Sequence, residues 1–167
     1  MILVLFNSLL PNRVMCFMSD RIKVVDSWLF VASRDLLSAR KLAAPPDVDW
    51  FNAVYLCQQS AEKATKALLI FHGENPKRIH DIGFLLGDLS KFSSMLDDMQ
   101  DAAEILTDFA MEYRYPNPNA TPLSESTVAE AIANADIFLS RAKAFIDLNY
   151  DQFTEASQLP RPKNGGA

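Results

Sequence analysis

Between Val48 and His72 the chain reads VDWFNAVYLCQQSAEKATKALLIFH, and apolar residues return every three or four positions at Trp50, Val54, Cys57, Ala61, Ala64, Leu68 and Phe71. That spacing is the repeat of an α-helix with one buried stripe, and it is the longest unbroken pattern in the sequence. A helix so patterned is stable only when its stripe lies against other elements. The partners must be helices too, because no stretch of the chain alternates with the period of two that a half-buried strand requires.

Four further segments repeat the pattern. Residues 20–42 carry Val25, Trp28, Leu29, Ala32, Leu36 and Ala39 on one face. A short helix over 81–91 turns Ile82, Leu85, Leu86 and Leu89 inward. Another over 94–113 turns in Leu96, Met99, Ala103, Leu106, Phe109 and Ala110, and a last one from Ser124 carries Val128, Ile132, Ala135, Leu139, Ala142 and Ile146. Proline supplies the breaks: AAPPDVDW separates the first two helices and RYPNPNATP the last two, since proline lacks the backbone donor and restricts the residue before it. Gly73 is placed to end the long helix. Short connections make neighbours antiparallel, so the expected fold is all-α, an up-down bundle of about five helices.

The termini are expected to lie outside that bundle. MILVLFNSLLPNRVMCFMSD opens with an apolar run, but no basic segment precedes it, and Asn7, Pro11, Asn12 and Arg13 interrupt it, so it reads as neither signal peptide nor membrane span. Met18 followed by Ser19 and Asp20 is a more natural start, and residues 1–19 are read as a non-native or flexible extension. The bundle is assigned to residues 20–150. The polar, Pro- and Gly-rich residues 151–167 are expected to form a disordered tail.

With 49% hydrophobic and 22% charged residues in 167, the chain can bury a single core. A net charge of -5 excludes a surface that attracts nucleic acid everywhere, so any polyanion site is a local patch. Cys16 and Cys57 provide neither metal-ligand spacing nor a disulfide framework, and a reducing cytoplasm is the expected setting, with no metal and no cofactor.

The segment YLCQQSAEKATKALLIFHGENPKRIHDIGFLL, followed some thirty residues later by YRYP, resembles the HEPN domain, the family named for higher eukaryotes and prokaryotes nucleotide-binding. The similarity spans about Ile22 to Asp147, and its most specific parts are QQSAEKATKALL, HDIGFLL and RYP. The resemblance implies a bundle of four or five helices that pairs as a homodimer. It implies RNases and toxins among the relatives, and others encoded beside a small nucleotidyltransferase partner, as in a toxin-antitoxin pair.

The RNase members carry an arginine, four to six residues, then a histidine, a cation and a proton carrier for attack of a 2'-hydroxyl on phosphorus. The positions five to seven before His72 are Ala67, Lys66 and Thr65, and those before His80 are Asn75, Glu74 and Gly73. Counting forward from Arg114 gives Asn119, Ala120 and Thr121. The spacing is absent, so the expected role is a binding module for nucleotide or RNA rather than an enzyme. A divergent metal-independent endoribonuclease and a purely structural dimerisation module are the alternatives.

Three groups of residues are candidates for that binding. Lys77, Arg78 and His80 stand before a helix start, where free N-H groups favour anions; equally, Asp81 caps the helix and His80 holds the loop. Gln59, Glu62, Lys63 and Lys66 share one side of the long helix, either as a solvated face with a Glu62 to Lys66 pair or as cations for phosphate. Arg114 and Tyr115, in EYRYP, either close the bundle or supply a phosphate contact and a stacking ring. Val24, Phe30, Val31, Phe51, Tyr55, Leu69 and Ile70 are apolar beyond what a single bundle buries and are assigned to the dimer face.

Overall fold

The computed structural model of the chain describes residues 10–113 and 118–155, with side chains described within 20–113 and 118–150. Five helices follow in order: α1 (Leu10–Leu42), α2 (Trp50–Phe71), α3 (Ile82–Leu89), α4 (Gln100–Tyr113) and α5 (Glu125–Glu155). A 3-10 turn, Asp97–Met99, leads into α4. Among the described residues there is no strand.

The helix ends follow local chemistry. The Asp49 carboxylate accepts from the Asn52 backbone N-H at 3.2 Å and caps α2. At the other end Gly73 takes φ 94°, the left-handed conformation that costs a glycine little. Glu74 N-H then donates to Leu69 O and Gly73 N-H to Ile70 O, each at 2.9 Å, the paired bonds of a Schellman ending. The Asp81 carboxylate caps α3 by accepting from Phe84 N-H at 2.9 Å, and the Ser124 hydroxyl accepts from Thr127 N-H at 3.1 Å at the start of α5.

Two boundaries differ from expectation. The first helix begins at Leu10 rather than near Asp20. Pro11 lies in its first turn, where a missing N-H forfeits no intrahelical bond, so the proline that interrupts the apolar run does not interrupt the helix. The tail boundary at 151 falls inside α5, whose helical backbone reaches Glu155; residues 156–167 lie outside those described.

The centre of the molecule is α2, which packs against α1, α3, α4 and α5. From Ala53 to His72 none of its residues is exposed. The stripe read from sequence is buried from Val54 to Phe71, and Ala53, Ala67 and Leu69 join it. Leu69, assigned above to a dimer face, is therefore core, because it lies on a second covered side of α2. Val24, Phe30, Val31 and Phe51 remain exposed, Tyr55 and Ile70 are half-buried, and Phe51 stacks on Tyr113 at 5.4 Å between ring centroids. Among the described residues no helix is long and apolar enough to cross a membrane.

Candidate functional site

The Schellman ending of α2 turns the chain into the loop Gly73–His80, which lies beside the middle of α1. Between them is a recess of about 760 Å³. Val24 and Trp28 of α1 and Ile70 of α2 give it an apolar floor, and Lys66, Arg21, Lys77 and Arg78 bring positive charge. Asp20 and Glu74 stand on its edge, and Asn75 and Pro76 complete the loop wall. Gly73 has a second reason to be glycine here: a Cβ would meet the Arg21 guanidinium at 3.1 Å.

Behind the recess the polar side of α2 is inside the protein. Glu62 and Lys66 form the expected i to i+4 pair, Nζ to Oε1 at 2.7 Å, but both side chains are nearly sealed from solvent, 5% and 7% exposed. Gln58, fully buried, donates to Glu62 Oε2 and to the His80 carbonyl, each at 2.9 Å, and accepts from Gln59 Nε2 at 2.7 Å. Lys63 donates to Gln59 Oε1 at 2.7 Å and faces Asp35 Oδ2 of α1 at 2.8 Å. That second contact is an ion pair that ties α2 to α1. A continuous polar chain thus runs from Asp35 on α1 through α2 to His80.

His80 Nδ1 lies 3.1 Å from Glu62 Oε2. Burial works to raise the Glu62 carboxyl, but hydrogen bonds from Lys66, Gln58 and His80 outweigh it and hold the group below the ordinary glutamate range. An ionised carboxylate can only accept, so the proton of the contact sits on Nδ1. The His80 side chain is otherwise 65% exposed. The buried carboxylate thus fixes the orientation of the His80 ring. Cys57 offers no nucleophile, because burial pushes its thiol up to about 12.

The candidates from sequence therefore separate. Lys66 and Arg78 meet at the recess, with Lys77 beside them. Lys63 and Gln59 do not line it; they are turned toward α1 and Asp35. The side of α2 that carries them is not a solvated face, because α1 and the 73–80 loop cover it. His80 serves the loop-holding role, through its carbonyl and its ring, and Asp81 caps α3. Arg114 and Tyr115 lie outside the described residues. Trp28, assigned to the core, proves to be the floor of the recess, and Asp35, Gln58 and Arg21 were not singled out at all. Among the described residues no group of three or more His, Cys, Asp or Glu side chains is placed to hold a metal ion.

His72, the second histidine, is packed rather than presented. It stacks on Phe92 at 5.4 Å between centroids, meets Phe71 edge-on at 5.7 Å, and lies 5.5 Å from Phe145. Its Nε2 is buried without a hydrogen-bond partner, and burial lowers its pKa. The unfolded chain, titrating near the ordinary value of about 6.5, takes up a proton before the folded chain does. Stability from this site is complete above that value and declines as pH falls below it. The urea midpoint is expected to be lower at about pH 5.5 than at about pH 7.5, and His72→Phe, which keeps the ring cluster, should flatten that difference. An equal slope in the variant would assign it elsewhere.

A family model described as the HEPN domain matches residues 25–145. The crystal structure of TT1696 from Thermus thermophilus is similar to this chain with a TM-score of 0.62 and 27% identity, over 72% of this chain and 96% of that one. ST0689, described as an archaeal HEPN homologue, is similar with a TM-score of 0.59 and 30% identity, over 73% of this chain and 97% of that one. No curated protein matches the chain significantly.

Proposed function

Because the chain belongs to the HEPN domain family, we propose that it is a binding module for a nucleotide or nucleic acid, acting with a small nucleotidyltransferase in a toxin-antitoxin-like pair. The observation that supports this reading is the recess, where Lys66, Lys77 and Arg78 surround an apolar floor in an otherwise acidic protein. Cations gathered over apolar surface suit a ligand with both phosphate and base. The reading of a module rather than an RNase rests on the missing Arg-to-His spacing.

Calorimetry with adenosine 5'-monophosphate and a short single-stranded RNA tests the reading. Binding is expected to be weak and salt-sensitive, because exposed charge contacts are screened over roughly 8 to 10 Å at ordinary ionic strength. Arg78→Ala should weaken it about tenfold, the loss of one charged hydrogen-bonding group. Absence of heat with either ligand, at low salt and with wild-type protein, would overturn it.

The module is also read as a homodimer. Phe30, 66% exposed, lies on α1 with Val31, which is exposed as well, and apolar surface of this kind marks interfaces. Two-fold pairing closes it without leaving a second sticky face. Light scattering at micromolar concentration should give twice 18.7 kDa, falling toward 18.7 kDa in Phe30→Glu. A wild-type mass of 18.7 kDa at every concentration would exclude the pair.

A further inference from the structure

Resting on the reading above, we propose that the recess selects a nucleotide by its base, stacked on Trp28, and takes a single phosphate at Arg78.

The floor argues for the base. Val24, Trp28 and Ile70 present apolar surface inside a recess of about 760 Å³, a size typical of small-molecule sites. A site for phosphate alone would need only donors. Trp28 is moreover held in place: Lys66 Nζ lies 5.9 Å from its ring centroid, and Lys66 is fixed by Glu62, which Gln58 and His80 fix in turn. A cation at the indole draws on its electron density and leaves the ring a better partner for an electron-rich purine. A positioned ring also loses little freedom when a base is laid against it.

The charges argue for one phosphate. Of the four cations that line the recess, Lys66 is committed to Glu62, Lys77 is shared between Asp88 at 3.3 Å and the Phe84 ring at 4.5 Å, and the Arg21 guanidinium is packed against Gly73. Arg78 is exposed and makes neither hydrogen bond nor ion pair with any described residue. Its planar fork is thus available for bidentate contact with phosphate oxygens. The Glu74 carboxylate on the same rim opposes the further negative charge of a polyphosphate chain. A nucleoside monophosphate, or one nucleotide of a single strand, fits this balance better than a triphosphate.

Tryptophan fluorescence can read the contact directly, because Trp28 and Trp50 are the only two tryptophans and a Trp50→Phe background isolates the first. Adenosine 5'-monophosphate is expected to quench Trp28 and to bind roughly tenfold tighter than ribose 5-phosphate or inorganic pyrophosphate, the worth of one base stack. By calorimetry, Trp28→Leu should lose that tenfold for the nucleotide and leave ribose 5-phosphate unchanged, while Trp28→Phe should retain most of it. Arg78→Ala should weaken both ligands. Circular dichroism melting confirms folding of each variant; should Trp28→Leu unfold, Trp28→Phe and the ligand comparison decide alone. Equal affinity for the nucleotide and ribose 5-phosphate, or a triphosphate bound tighter than the monophosphate, would overturn this inference and leave the binding-module reading standing. Absence of any binding, RNA included, would remove both.

Discussion

Replacing Glu62 by alanine is expected to destabilise the protein by about 3 to 5 kcal/mol, because it leaves the Lys66 ammonium buried with no counter-charge. Lys66 is 7% exposed, and Gln58 and His80 lose the same acceptor. Urea unfolding at neutral pH measures it; in a domain of this size the melting temperature should drop by roughly 10 °C. Replacing both partners with apolar residues, Glu62→Met with Lys66→Leu, should recover most of the loss, since a buried ion pair contributes little beyond its own desolvation. A single Glu62→Ala variant within about 1 kcal/mol of wild type would mean that water reaches the pair. The acid side follows from the lowered Glu62 pKa. Its contribution is present above the ordinary glutamate value of about 4.3 and is lost as pH falls through the lower folded value, a loss that Glu62→Gln should abolish.

The second large effect is expected on α5. Phe138 is fully buried and, among the described residues, is the bulkiest of the fully buried side chains, within the shared core. Phe138→Ala should cost about 3 to 5 kcal/mol, from lost transfer energy and the cavity left behind. Phe138→Leu should cost far less, about 1 kcal/mol, because it restores most of the volume. The comparison separates packing from any general intolerance of α5. A midpoint equal to wild type in Phe138→Ala would show that the long last helix is not held by its core face.

What could be read from the sequence was local. Gly73 ends α2, Asp81 opens α3 and Ser124 opens α5, because a cap or a left-handed glycine acts within a few residues of itself. The apolar stripes were equally legible; Val25, Leu29, Ala32 and Leu36 on α1 are buried as their spacing requires. The polar side of α2 was not, because periodicity assigns a polar face to solvent and cannot see that α1 and the following loop cover it. One signal did mark it: Ala53, Ser60, Ala61, Ala64, Thr65 and Ala67 are small on more than one side of the helix, as close approach from several directions demands. The site suffered most, since Trp28 and Arg21 reach the 73–78 loop only through the packing of α1 on α2. Trp28 has the spacing of a core residue, and nothing in that spacing distinguishes a floor from an interior.

The covering of α2 from Ala53 onward bears on how such sequences diverge. An outer helix has a solvent side on which mutations drift freely, whereas between Ala53 and His72 each change disturbs a neighbour in one direction or another. Selection for folding alone would then suffice to constrain QQSAEKATKALL, whatever the chain binds. Functional divergence should be sought instead along the rim of the recess, at positions such as Asp20, Glu74 and Arg78, where a new side chain alters what is bound before it alters what is built.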